Sequence, residues 1–137
     1  TPSNPPANSL LAALPADLRA VMKSVSKYSD NTGGGSNTAR YVTATTDWLF
    51  LLAEFEYHGS RSYANSAEQN YQKQYDYYKA GNSKVHYRHD NTGSAVIAWT
   101  RSANSDTSNL FCLVYTDGTP NRSGADTSWA LAPGFAA

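Results

Sequence analysis

Three histidines, three glutamates and a single cysteine are the residues of this chain whose chemistry invites a catalytic reading. His86 and His89 lie three apart, a spacing that turns them to opposite faces of a strand, and His58 is distant in sequence. Zinc takes three or four convergent N, S or O donors, so this set promises two at most and the expectation is no metal. Cys112 sits within Leu110-Phe111-Cys112-Leu113-Val114, where a thiol behaves as a small apolar side chain rather than as a thiolate. A hydrolytic serine needs a positioned histidine, and no Gly-x-Ser-x-Gly elbow occurs. Paired carboxylates can cleave glycosides, but Glu54, Glu56 and Glu68 read as charges on helix surfaces. Gly33-Gly34-Gly35 has no Lys-Ser or Lys-Thr pair after it and no buried strand before it, so it is a polar loop rather than a phosphate cradle. The expectation is a chain that is not an enzyme and uses no cofactor.

The elements that would position these residues are bounded by composition. A length of 137 residues suits one domain. Charged residues are only 16%, against about 25% in ordinary proteins; 16 Ser, 12 Thr, 11 Asn, 10 Tyr and 3 Trp fill their place. Eleven basic and eleven acidic side chains cancel, so the basic excess that a nucleic-acid partner requires is missing. One cysteine allows no internal disulfide, and no apolar run approaches the ~18 residues of a membrane span. Residues 1–9, with three prolines among Ser, Asn and Thr, read as a linker or a frayed terminus ahead of a domain at 10–137. They lack the positive start and apolar stretch of a signal peptide.

Leu14, Leu18, Val21, Met22 and Val25 form the apolar stripe of an amphipathic helix, with Pro15 at its first position. Residues 41–45 alternate as a strand. Trp48-Leu49-Phe50-Leu51-Leu52 reads as a core strand passing into a short helix that stops at Gly59. Ser66 and Gln69 form a capping box for a helix over residues 66–80, with Gly81 just beyond its end. On that helix Tyr71, Tyr75 and Tyr78 share one face, which suits packing more than sugar stacking. Residues 84–89, 95–100 and 110–115 are strand-prone, and Thr116-Asp117-Gly118-Thr119 carries a turn signal. The outline is α+β, helices first and antiparallel strands with long loops after.

Residues 99–129 mix Tyr, Ser, Asn, Asp and Thr with single Trp and Arg residues. That is the composition of adaptable recognition loops, and equally that of solvated hairpin loops. On the first reading, loops 101–109 and 115–128 bind a ligand, on a core of residues 48–52, Trp99 and 111–114. The expected contact residues are Asn104, Asp106, Tyr115, Asp117, Asn121, Arg122 and Asp126, with Trp129 as contact or core.

Seven short motifs follow one another in order. They are Leu14-Pro15-x-x-Leu18; Val25-x-Lys27-Tyr28; Thr45-Thr46-Asp47-x-Leu49-Phe50-Leu51-Leu52-x-Glu54; Gln74-Tyr75-x-Tyr77-Tyr78-Lys79-x-Gly81-Asn82-Ser83; Trp99-x-Arg101-Ser102; Phe111-x-x-Val114 with Asp117-Gly118; and Leu131-Ala132-Pro133-x-Phe135. Over residues 12–137 this order resembles the domain of uncharacterised function found near the C-termini of phage and prophage tail proteins and some bacterial surface proteins. That domain is similar to the formylglycine-generating-enzyme branch of the C-type lectin fold. Where the family shows Trp-Trp-Leu-Arg-Ser-Pro, this chain has Ala98-Trp99-Thr100-Arg101-Ser102-Ala103. The enzymes of that branch use a copper-binding cysteine pair, so their activity does not carry over to a chain with Cys112 alone. The calcium tripeptides of lectins, Glu-Pro-Asn and Gln-Pro-Asp, are also missing.

The resemblance implies a C-type lectin-like domain that binds a cell-surface receptor, protein or glycan, from a phage tail (virion) or a bacterial cell surface. It leaves open a structural tail subunit touching other tail chains, and more remotely a glycan-active enzyme. It also implies kinship with the variable proteins of diversity-generating retroelements, in which mutated adenines convert Asn codons into Ser, Asp, Tyr, Thr, Gly or Ala codons, the residue types interleaved through 98–129.

Overall fold

Helical periodicity over residues 14–25 is only partly used. In the computed structural model, which describes residues 1–137, α1 (Leu10–Ala13) and α2 (Ala16–Val21) are short, and Pro15 caps α2 rather than opening it. Met22 turns extended and is buried, and Val25 belongs to β1 (Val25–Asp30), paired with Asp47 of β2 (Val42–Asp47). The apolar stripe is satisfied by a helix and a strand in succession, a tertiary pairing that outweighs local propensity. Residues 1–9 fold back instead of extending as a linker: Pro2 is buried, and its carbonyl accepts a hydrogen bond from Arg19 Nη1 at 2.9 Å.

The apolar run at 48–52 is half-buried, not the centre of the core. Its strand, β3 (Phe50–Leu51), pairs with β9 (Pro133–Gly134) and leads into α3 (Glu54–His58). Residues 53–57 are the buried ones, with Ala53, Phe55 and Tyr57 at 0, 5 and 1% exposure. The expected stop is present: Gly59 is left-handed (φ 68°) and its N–H donates to the Phe55 carbonyl.

The expected helix over 66–80 is replaced by a 3-10 turn (Ser66–Asn70), an extended stretch and one helical turn, α4 (Asp76–Lys79). Asn65, not Ser66, caps the 3-10 turn, its Oδ1 accepting from Ala67 N. Tertiary partners take the groups that a helix would use. Gln72 Nε2 donates to the Tyr28 carbonyl, Gln74 Nε2 to the Tyr57 carbonyl, and Tyr75 N to the Glu56 carbonyl. No tyrosine stripe forms: Tyr71 stacks on Tyr28 at 4.3 Å, while Tyr71 and Tyr75 stay 55 and 37% exposed.

The C-terminal half is antiparallel β as expected, with two corrections: the run expected at 95–100 divides between strands at 91–96 and 98–103, and residues 120–124, expected as loop, form a strand because they pair with residues 110–114. β4 (His86–Arg88) and β5 (Asn91–Val96) form one hairpin. β6 (Ala98–Ala103), β7 (Leu110–Val114) and β8 (Pro120–Gly124) form a three-stranded antiparallel sheet in that order. Ala98, Ala103, Cys112, Leu113 and Val114 close the core beneath it. The class is α+β with strands predominating, and no helix is long and apolar enough to cross a membrane.

Candidate functional site

Beneath the sheet lies a polar centre that contradicts the surface reading of the glutamates. Glu54, Glu56 and Glu68 are 1, 5 and 0% exposed. A buried carboxylate is tolerated only when its oxygens are filled by donors, and each of these is. Glu54 accepts from the backbone N–H groups of Ser62, Tyr63 and Ala64 at 2.7–3.1 Å, which fixes the loop after α3. Glu56 reaches back to Ala53 N, takes Lys27 Nζ at 3.2 Å and is gripped from both ends by the Arg101 guanidinium. Glu68 accepts from Asp30 N, Ser102 Oγ and Gln72 Nε2. Burial works to raise the Glu56 carboxyl, but hydrogen bonding and charge from Arg101 leave it below the usual range. At Glu68 burial prevails and the carboxyl is raised. The signal that could have placed these residues inside was the motif order itself, since Glu54, Arg101 and Ser102 stand in it.

This centre supports the loop of residues 104–109 from below. Asn104, expected as a contact residue, is fully enclosed: its Nδ2 donates to the Tyr63 carbonyl and its Oδ1 accepts from Asp106 N at 3.1 Å. It holds the loop and cannot reach a ligand. Ser105 is likewise buried, its hydroxyl accepting from Arg61 Nη2 at 2.7 Å. From the other side comes the glycine loop. Gly35 (φ 63°) lies so close to the Thr107–Ser108 backbone that a Cβ there would sit 2.5 Å from Ser108 N.

The remaining expected contacts divide between the two ends of the sheet. Arg122, midway along β8 opposite Cys112, reaches toward one end: its Nη1 donates to Asp106 Oδ2 at 3.3 Å and its guanidinium lies 4.8 Å from the Tyr63 ring centroid. Asp126 is exposed beside them, and Ala125 N donates to the Asn109 carbonyl. At the other end Asp117 closes the β7–β8 turn, its Oδ1 accepting from the Thr119 amide and hydroxyl, which lowers its pKa. Tyr115 starts that turn at 41% exposure, and Asn121 faces Leu113 in the register. Four strand residues separate Leu110↔Gly124 from Val114↔Pro120, about 13 Å at the usual rise. Trp129 (38% exposed) lines a groove of about 490 Å³ together with Arg88, Ile97 and Thr116.

Titratable groups elsewhere are packed rather than convergent. His86 Nε2 and the Tyr57 hydroxyl are 3.0 Å apart, and His58 lies on the other side of that ring, centroids 6.1 Å apart. Burial, with the charge of Lys84, lowers His58 to about 4; burial also lowers His86. His89 is exposed. No group of three His, Cys, Asp or Glu residues is placed to hold a metal ion. Cys112 is buried and its thiol is pushed far up by burial and by the charge of Glu54, so it is a packing residue.

These features define a small α+β domain that encloses Asp30 and its three glutamates and leaves short polar loops outside. The chain belongs to the family described as Domain of unknown function (DUF6273), which it matches over residues 7–135. No curated protein and no solved structure matches it.

Proposed function

We propose that this is a non-enzymatic binding domain with a C-type lectin-like fold, displayed on a phage tail or bacterial surface protein and contacting a cell-surface receptor. One observation carries the reading. Asp106 and Arg122 have side chains 65 and 36% exposed, the first on a loop anchored by the buried Asn104 and Ser105 and the second on a strand paired with β7. An anchored backbone with short polar and Arg side chains outside is the arrangement of a recognition loop. The Asp106, Arg122 and Asp126 end is the centre of the surface. Tyr115, Asp117, Asn121 and Trp129 join it only for a macromolecular receptor, whose footprint of about 800 Å² per partner covers both ends of the sheet. Diversification of residues 98–129 belongs to the same proposal and excludes Asn104, which is part of the support.

The test is retention of the labelled domain on a panel of bacterial cells. Retention by some strains, lost in an Asp106→Ala/Arg122→Ala variant that melts like the parent, supports the reading. Retention by none, or retention unchanged in the variant, overturns it.

A second reading, a structural subunit contacting other chains of an assembly, is favoured by the exposed apolar residues Leu131 and Phe135 (60 and 44%). Self-association or co-assembly abolished by Leu131→Ser would support that role instead.

A further inference from the structure

The segment that fails to become a helix encloses a cavity of a different character from the loop surface. It measures about 440 Å³, within the ~300–1,000 Å³ of small-molecule sites. Six polar side chains line it: Gln69, Gln72, Lys73, Gln74, Asp76 and Lys79. The only hydrophobic contribution is the Phe55 ring, with Gly59 beside it. Sites for drug-like ligands are mostly apolar; this one suits a ligand that is polar throughout.

Two of the six side chains are held by hydrogen bonds and the other four are exposed. Gln72 spends its Nε2 on the Tyr28 carbonyl at 2.7 Å and Glu68 Oε2 at 3.1 Å, and its Oε1 is buried without a hydrogen-bond partner. Both partners are acceptors, so the amide cannot flip. Gln74 spends its Nε2 on the Tyr57 carbonyl at 2.9 Å, and its Oε1 lies where a Cβ on Gly59 would meet it at 2.6 Å. Gln72 Oε1 is closed off from solvent, and Gln74 Oε1 is held as an acceptor with no protein donor. Gln69, Lys73, Asp76 and Lys79 make no side-chain hydrogen bond within the protein, and they add two ammonium donors, a carboxylate acceptor and an amide that does both.

One held amide acceptor among two ammonium groups, a carboxylate and a further amide matches a ligand whose groups both donate and accept, which is the property of a carbohydrate hydroxyl. Two lysines against one aspartate leave an excess of one positive charge in the wall, which favours a sugar bearing a carboxylate. We propose that this cavity is a glycan-binding site for acidic oligosaccharides. It shares no residue with the Asp106–Arg122 surface and does not depend on that reading.

The test is an array of immobilised neutral, uronate-containing and sialylated oligosaccharides probed with the full chain. Neither lysine makes a hydrogen bond that holds the fold, so Lys73→Glu with Lys79→Glu should melt like the parent. The expected result is retention on acidic glycans, reduced at least tenfold by that pair and unaffected by Arg122→Ala. Retention on no glycan, retention on neutral glycans alone, or retention insensitive to the lysine substitutions overturns the proposal. A loss of cell binding in Arg122→Ala, with glycan retention intact, concerns the loop surface only.

Discussion

Arg101 and Glu56 form a two-pronged ion pair in which Nη1 meets Oε2 and Nη2 meets Oε1, with both side chains at most 12% exposed. Arg101 comes from the three-stranded sheet and Glu56 from α3, so the pair ties the two halves of the chain together. The same guanidinium donates to the Leu51 and Tyr28 carbonyls. One cation thus gathers β1, β3 and α3 onto β6.

Removing one member of such a pair leaves the other charge buried and alone, which costs about 3–5 kcal/mol. Lys27 still pairs with Glu56, so Arg101→Leu should lower the unfolding free energy, read from denaturant titration, by no more than about 3–5 kcal/mol. Glu56→Gln should be milder above pH 5 and should flatten the acid limb of the stability curve. The Glu56 carboxyl titrates lower in the folded chain than its ordinary 4.5, so its stabilisation is present above that value and lost as pH falls through the folded one.

Glu54 separates loss of charge from loss of acceptors. Glu54→Ala strands the N–H groups of Ser62, Tyr63 and Ala64. The Ala64 N–H is buried while those of Ser62 and Tyr63 are part-buried, so at ~1–3 kcal/mol for a buried donor left unpaired the expected cost is at least about 1 kcal/mol. Glu54→Gln keeps one acceptor oxygen and should cost less than the alanine variant. Thermal melts of the two check the ordering, and equal costs would mean that acceptor geometry is unimportant there.

His58 titrates at about 4 in the folded chain against 6.5 ordinarily. Between those values the unfolded chain binds the extra proton, so the histidine's contribution is complete above pH 6.5 and lost as pH falls toward 4. His86, also lowered, adds the same sign. The raised carboxyl of Glu68 acts oppositely, stabilising at low pH and losing that effect as pH climbs from 4.5 through its folded value. The comparison is therefore made within one background: His58→Gln should show a shallower fall in melting temperature from pH 6.5 to 4 than the parent.

Gly35 has no room for a side chain and a backbone angle that disfavours one. Gly35→Ala should destabilise by more than ~1 kcal/mol and speed hydrogen exchange at the amides of residues 104–109. Gly81 is the control. Its φ is 89° but a Cβ there meets nothing within 4 Å, so Gly81→Ala should leave exchange in that loop unchanged.

Residues 110–114 were legible as a strand because a β-prone run ends at a turn with its own chemistry, Asp117-Gly118, with φ 85° at the glycine; residues 120–124 were not, because Pro, Asn, Ser and Gly suit a loop until β7 pairs with them. Gly59 was legible for the same local reason. The helices at 14–25 and 66–80 were not, because what decides those segments is distant. Val25 pairs with Asp47, and Gln72 and Gln74 bond carbonyls at residues 28 and 57. The glutamates were misplaced because polarity predicts exposure unless a partner is known, and Arg101 stands 45 residues from Glu56. In the loop at 104–109, composition could not tell Asn104, which holds the backbone, from Asp106, which faces outward.

The carboxylates Asp30, Glu54, Glu56 and Glu68 take all their hydrogen-bond donors from residues 27–102. The keystone of the architecture is therefore complete without the exposed side chains of Asp106, Asp117 and Asp126. Exchanges at those positions leave it untouched, whereas exchanges at Cys112, Leu113 or Val114, each at most 3% exposed, strike the interior that rests on it.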